Sequence, residues 1–136
     1  MSILLDTGPL VAVLRKDDAW HQACIDQFKQ LNPPLITCWP VLTEAAWLLR
    51  RTPSAVQSLL SFHTKGLYRI APLDWHCPVW IAEFFQRFND REPQLADAVL
   101  MYLAERDKID AIFTLDRRDF SVYRLNNGQA LKLLPE

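Results

Sequence analysis

The sequence predicts an α/β protein whose central sheet is mainly parallel and covered by helices on both faces. Three features carry that prediction. Short apolar runs alternate along the chain with longer stretches of helical character. The runs are apolar throughout, without the polar–apolar alternation of a strand that shows one face to water. Turn-forming residues (Gly, Pro, Asn and Asp) mark most of the junctions. With 136 residues the chain has the size of one ordinary domain, so 1–136 reads as a single unit. A chain of this length buries roughly two-thirds of its unfolded surface and needs neither a disulfide nor a metal merely to fold.

Ser2 to Leu5 is a first short strand, ended by the turn Asp6-Thr7-Gly8-Pro9. Pro9 suits a first helical turn, where the N–H it lacks has no partner anyway, and helix follows to Leu14. A second helix spans Asp18 to about Leu31, with Asp17 or Asp18 as its cap, until Asn32-Pro33-Pro34 breaks it. Leu35 to Cys38 is the second strand. Pro40 opens a helix carrying Val41, Leu42, Ala45, Ala46, Trp47, Leu48 and Leu49, apolar nearly all round and therefore expected to be mostly buried. Arg50-Arg51 closes it, where cations suit the macrodipole. Pro53 starts a helix to about His63, and Gly66 stops it. Leu67 to Leu73 reads as a strand, Trp75 to Phe88 as a long aromatic-rich helix, and Asn89 to Pro93 as a loop. Leu95 to Arg106 is helical, and Ala111 to Leu115 and Leu131 to Leu134 are the last strands.

Composition excludes several classes. Half of the residues are hydrophobic and 23% are charged, which excludes disorder, and no fixed-period repeat marks a coiled coil or solenoid. Cys24, Cys38 and Cys77 are odd in number and unevenly spaced, which is neither a disulfide framework nor a zinc pattern and suits a reducing cytosol. The apolar opening segment is interrupted by Asp6 and Pro9, and its basic residues Arg15 and Lys16 follow it. It does not read as a signal peptide, and no later stretch reaches membrane-spanning length. The expectation is a cytoplasmic protein with no membrane association. Fifteen Lys plus Arg against sixteen Asp plus Glu give a net charge of −1, whereas a simple electrostatic binder of nucleic acid is normally basic.

Four acids stand out against this background. Asp6 ends the first strand and Asp116 the fourth, at the edge where open α/β sheets bind ligands. Each reads equally well as a local turn or cap residue. Glu44 shares a helical face with Val41, Trp47 and Leu48, and Asp97 lies between Ala96 and Ala98 with Leu100 and Met101 on its face. A lone carboxylate among apolar groups costs several kcal/mol unless paired or bound to metal. The bland alternatives are a salt bridge to arginine for Glu44 and a first-turn acid favoured by the helix dipole for Asp97.

Carboxylates about 5 Å apart repel by roughly 3 kcal/mol per pair at an effective dielectric of 20, so such a cluster calls for a cation. Oxygen-only ligands select hard ions such as Mg²⁺ or Mn²⁺. Ions held this way lower the pKa of a bound water and stabilise the attacking and leaving oxygens of a phosphodiester. Removing the four acids from the net charge of −1 leaves the rest of the chain at +3, and a bound metal inverts the sign of the site itself. Arg117-Arg118, Arg50-Arg51, and Arg87 with Arg91 are then candidates for phosphate contacts, or else solvated surface residues. Trp20, Trp39, Trp47, Trp75 and Trp80, at helical spacings beside Leu and Val, read first as core or interface and only secondarily as stacking platforms for bases.

LLDTGPLVA at the start, LTEAAWLL in the middle, LADAVLMYLAE later and IFTLDRRDF near the end resemble, in order and separation, the four acidic blocks of PIN-domain proteins. The small size and the closing run YRLNNGQALKLLP are similar to the toxin members of bacterial toxin–antitoxin pairs, the VapC-type ribonucleases. TLDRRDF is the most specific of the blocks. The resemblance spans essentially the whole chain and implies an α/β/α sandwich, PIN-like, with an acidic site that cuts RNA using Mg²⁺ or Mn²⁺. By block it assigns Asp6, Glu44, Asp97 and Asp116 as catalytic acids, with Asp6, Asp97 and Asp116 as metal ligands. Asp119 is implied as an outer or extra ligand, and Thr114 and Thr7 as residues that orient the site. An antitoxin covering the site and a homodimer are the implied partners beside RNA. Gln94 departs from the pattern, since related sequences often carry a further acid there.

Two other functions fit part of the pattern. An aspartate-nucleophile phosphotransfer domain also sets acids at strand ends, but usually needs a lysine nearby, and Lys108 is the only one near the last two acidic blocks. A metal-free interaction module would use the acids only to bind a partner's arginines.

Overall fold

The computed structural model describes residues 1–136. Five short strands form one parallel sheet: β1 (Leu4–Leu5), β2 (Leu35–Thr37), β3 (Tyr68–Ile70), β4 (Ala111–Phe113) and β5 (Lys132–Leu134). Their order is β3-β2-β1-β4-β5. Seven helices flank the sheet: α1 (Thr7–Leu14), α2 (His21–Gln30), α3 (Trp39–Leu48), α4 (Pro53–Thr64), α5 (Cys77–Arg87), α6 (Leu95–Asp107) and α7 (Arg117–Phe120). The predicted α/β class and parallel sheet are what is found. From β1 the chain builds outward through β2 and β3, then returns to lay β4 on the other side of β1. The strand order therefore reverses between β1 and β4, and the crevice at that reversal is where this architecture takes ligands.

Leu4, Leu5, Ile36, Ile112 and Phe113 of the central strands are buried, as a sheet covered on both faces requires. Each such side chain contributes about 1.5–3 kcal/mol on leaving water. Helix α6 is buried continuously from Ala96 to Ala104, so it runs through the interior and carries Asp97 with it. Gly8, in the first turn of α1, lies so close to the segment after β4 that a Cβ there would stand 3.2 Å from that of Leu115. This close approach brings the ends of β1 and β4 together.

Several expectations are corrected. Helix α3 is only partly buried: Val41, Leu42 and Ala45, with Leu49 at its C-cap, are buried and Ala46 packs against the core, while Trp39, Trp47 and Leu48 are exposed. The core position that an all-apolar helix would take belongs to α6. Trp20 and Trp75 are exposed as well, and Trp80 alone of the five tryptophans packs against the core. The strand expected over 67–73 is confined to Tyr68–Ile70, and the loop after α5 contains a turn of 3₁₀ helix at Asn89–Arg91. Helix α7 was not expected from the sequence. All three cysteines are free and buried. No helix is long and apolar enough to cross a membrane.

Candidate active site

Asp6 is the residue after β1 and caps α1, its Oδ1 accepting the Thr7 N–H at 2.8 Å. Its own N–H donates to the Phe113 carbonyl of β4 at 3.0 Å, which locks it at the strand reversal. Thr114, the residue after β4, donates its hydroxyl to Asp6 Oδ2 at 2.7 Å and accepts the Asp116 N–H at 2.9 Å. One buried hydroxyl thus ties the first acid to the fourth. Asp116 in turn caps α7 by accepting the Asp119 N–H at 3.1 Å. Asp6 and Asp116 are thus both caps, and capping also fixes their carboxylates at the crevice.

Asp97 sits in the first turn of α6, buried, where the helix dipole favours an anion. Its Oδ2 accepts from the hydroxyl of Tyr123 at 2.8 Å. Glu44 meets no arginine. It accepts from the Thr7 hydroxyl at 3.4 Å, and, with the Gln94 amide oriented by hydrogen bonding so that its nitrogen faces Glu44, that nitrogen donates to Oε1 and Oε2 at 3.2 and 3.0 Å. The amide at position 94 thus supplies a donor where an acid would repel Glu44.

These side chains line one hollow of about 370 Å³ with six carboxylates: Asp6, Glu44, Glu92, Asp97, Asp116 and Asp119. Only Arg91 opposes them, with Nη2 on Asp119 Oδ1 at 3.1 Å. Burial pushes the Asp97 carboxyl up to about 7; the Tyr123 hydrogen bond opposes this, and the charges of Asp6, Asp116 and Asp119 add to it. Burial likewise pushes Asp6 up to about 6, opposed by the hydrogen bonds from Thr114 and Thr7. Glu44 is raised by burial and by the charge of Asp97, and Asp116 by burial and by the charge of Asp119. The cluster lacks the positive charge that would keep it ionised.

A divalent cation fits this donor set. Oxygens of Asp97, Asp116 and Asp119 all lie within 4.8 Å of one another, and no histidine or cysteine lines the hollow. The tightest trio contains Asp119 in place of Asp6, whose two oxygens are already held by Thr7 and Thr114. The arginines spread out. Arg117 donates to the Pro135 carbonyl and Arg118 is exposed, and neither lines the acidic hollow. Arg87 stacks on Phe88. Lys108 closes the far end of α6 and lines a different hollow, so no lysine accompanies the acids.

Tyr123 and the Arg91–Asp119 pair are contacts the sequence did not reveal. Tyr123 lies outside the acidic blocks, and its only local cue is its place four residues after Asp119, whose carbonyl accepts its N–H at 3.1 Å.

Fold and site together define an α/β protein with a single acidic cleft at the strand reversal of a parallel sheet. The chain belongs to the PIN domain family, whose model matches residues 3–125. Its fold is shared with VapC20 of Mycobacterium tuberculosis, described as a sarcin–ricin loop cleaving toxin. The TM-score is 0.77 at 22% identity, over 85% of this chain and 91% of that one. It is also similar to a structure of VapBC2 from Rickettsia felis bound to a DNA fragment from their promoter, with TM-score 0.64 and 18% identity over 98% and 97% of the chains. Among curated proteins none matches the sequence significantly.

Proposed function

We propose that this protein is a Mg²⁺- or Mn²⁺-dependent endoribonuclease and the toxin of a type II toxin–antitoxin pair. The observation that carries this reading is the convergence of six carboxylates on one hollow of a PIN-domain fold, with a single arginine to offset them. Asp6, Asp97 and Asp116 are the proposed metal ligands, with Asp119, whose oxygen lies within 4.8 Å of those of Asp97 and Asp116, as a further one. The bound ion would supply an acidified water and charge stabilisation at the phosphodiester.

The chain's own residues do the rest. Thr114 and Thr7 hold Asp6 in one rotamer, and Tyr123 holds Asp97. Glu44, kept in place by Gln94 and Thr7, either serves as a further ligand or orients the attacking water. In-line attack leaves a 5′-phosphate and a 3′-hydroxyl and makes no use of the RNA 2′-hydroxyl. Arg117 and Arg118 are proposed to meet RNA beyond the cleft. An antitoxin that covers the acids, a homodimer and a cytoplasmic setting complete the reading.

The test is incubation of the partner-free protein with single-stranded and structured RNAs, in Mn²⁺ or Mg²⁺ and separately in EDTA, beside Asp97→Asn. Metal-dependent cleavage that the variant loses, with 5′-phosphate ends, supports the reading; 2′,3′-cyclic phosphate ends overturn its mechanism. One observation favours a second reading, a metal-free interaction module: Asp119 already accepts an arginine, as a partner's arginine would require. That reading expects no change of melting temperature with Mn²⁺ and no cleavage.

A further inference from the structure

Leu48, the last residue of α3, stands between two hollows of opposite charge. One is the acidic cleft. The other, of about 250 Å³, is lined by Arg15, Arg50, Arg51 and Thr52. Arg15 comes from the end of α1, and Arg50 and Arg51 from the turn between α3 and α4. All three arginines are exposed, and none takes part in a salt bridge.

Two of the guanidinium groups are anchored from behind. Arg15 donates to the Leu48 carbonyl. Arg50 donates to the Trp47 carbonyl at 2.8 Å and lies 3.8 Å from the centre of the Trp47 ring. Capping the last carbonyls of α3 explains one N–H of each and leaves the rest of each fork free. It does not explain Arg51, whose side chain bonds to nothing in the protein. Pre-anchored guanidinium forks match the oxygens of a phosphate and lose little rotamer entropy on binding it.

We propose that this basic hollow holds a backbone phosphate of the RNA, next to the one that lies on the acids; the inference rests on the ribonuclease reading above. The charge order fits a polyanion crossing Leu48. An acid cluster accepts a phosphate only through a cation, whereas three unpaired arginines beside it hold the neighbouring phosphate directly. Arg51 is the residue to alter, because its loss disturbs no intramolecular bond.

Arg51→Gln and Arg51→Lys are made with the acidic cluster intact and Ca²⁺ in place of Mg²⁺ to slow cleavage, and binding of a fluorescent single-stranded RNA is followed against salt. Each phosphate contact to a single strand contributes about 0.7 to the slope of log K against log salt. Arg51→Gln should flatten the slope by about that amount, and Arg51→Lys should retain it. With Mg²⁺ returned, Arg51→Gln should raise KM several-fold with kcat within about twofold, at an unchanged melting temperature. RNA cleaved by Arg51→Gln with the parent's KM, together with the parent's salt slope, overturns the phosphate site and leaves the ribonuclease reading standing. An unchanged RNA slope with weakened binding of a polyglutamate peptide assigns the hollow to an acidic protein segment instead. Failure of the unaltered protein to bind or cleave any RNA overturns the ribonuclease reading and the phosphate site with it.

Discussion

The hydroxyl of Tyr123 donates to Oδ2 of Asp97 at 2.8 Å, and it does so from a fully buried ring packed edge-on against Phe84, Phe88 and Phe120. A buried phenol needs a partner, and a rigid aromatic cage leaves it one position in which to find it. The carboxylate at the centre of the site is thus aimed by the core rather than by its own helix. The same tyrosine holds the α7 segment through its N–H on the Asp119 carbonyl, so one residue sets the spacing of two acids.

Replacing Tyr123 by Phe keeps the cage and removes only this donor. Loss of a residue that orients a ligand typically weakens metal binding 10–100-fold. Mn²⁺ titration should therefore show a Kd at least about tenfold higher, while the metal-free melting temperature falls by an amount equivalent to about 1 kcal/mol. An unchanged Kd would remove Tyr123 from the site.

The pH dependence of the metal-free protein should run opposite to that of most acidic proteins. Asp97 and Asp6 have folded-state values of about 7 and about 6, above the ordinary 3.8. Between those limits the native chain holds more protons than the unfolded one, so stability falls as pH rises from about 4 to about 7. Thermal unfolding in EDTA should give a higher midpoint at pH 5 than at pH 8. Asp97→Asn should flatten the difference and melt at or above the parent at pH 8, because it removes a buried charge while its side-chain carbonyl still accepts from Tyr123.

Mn²⁺ should reverse that trend. A metal bound only by the folded state adds RT ln(1 + [L]/Kd), about 2.7 kcal/mol at a hundredfold excess over Kd. Its carboxylate ligands must be deprotonated, so the gain should be large at pH 8 and small at pH 5.5. Differential scanning calorimetry at the two pH values reads this directly, and Asp97→Asn should abolish the gain.

Thr114→Val strands the Asp116 N–H and frees Asp6 Oδ2. The expected cost is about 1–3 kcal/mol of stability for the buried unpaired groups, together with loss of most cleavage activity. Thr114→Ser, which keeps the hydroxyl, should recover both. Equal melting temperatures for the Val and Ser variants would show that the hydroxyl is not the linkage.

Gln94→Glu tests why an amide stands at that position. A second carboxylate within hydrogen-bond range of Glu44 should lower metal-free stability at pH 8 by roughly 1 kcal/mol, allowing for solvent screening. The deficit should narrow on going to pH 5, because burial and the charge of Asp97 raise Glu44 and a proton on either carboxyl relieves the repulsion. Melting curves in EDTA at the two pH values provide the check.

Much of this site can be read from residue order because its parts obey local rules. Asp6 and Asp116 follow apolar runs that can only be strands, and strand ends converge in a parallel sheet. Asp97 is conspicuous because apolar neighbours surround it on every helical face. Helix α7 escapes notice because Arg117–Phe120 is too short and polar to show a period, although Asp116 caps it. The exposure of Trp39 and Trp47 escapes for another reason: an all-apolar helix shows how much it can bury but not which face finds a neighbour, and here α6 takes the interior. Tyr123 and Arg91 act across 26 and 28 residues, a separation that leaves no local pattern.

The Thr114–Asp6 hydrogen bond closes a loop of 108 residues, and it bears on the timing of synthesis. The ribosome releases Asp6 almost at once, but β1 keeps one edge unpaired until β4 has emerged. Until then the first acid has neither its threonine nor its partner acids from α6 and α7. Under the proposed ribonuclease function, a partly translated chain would lack the complete acidic site. Its messenger would then be read through the last acidic block before the site is whole, so late pairing of one central strand would hold the proposed activity back until synthesis nears its end.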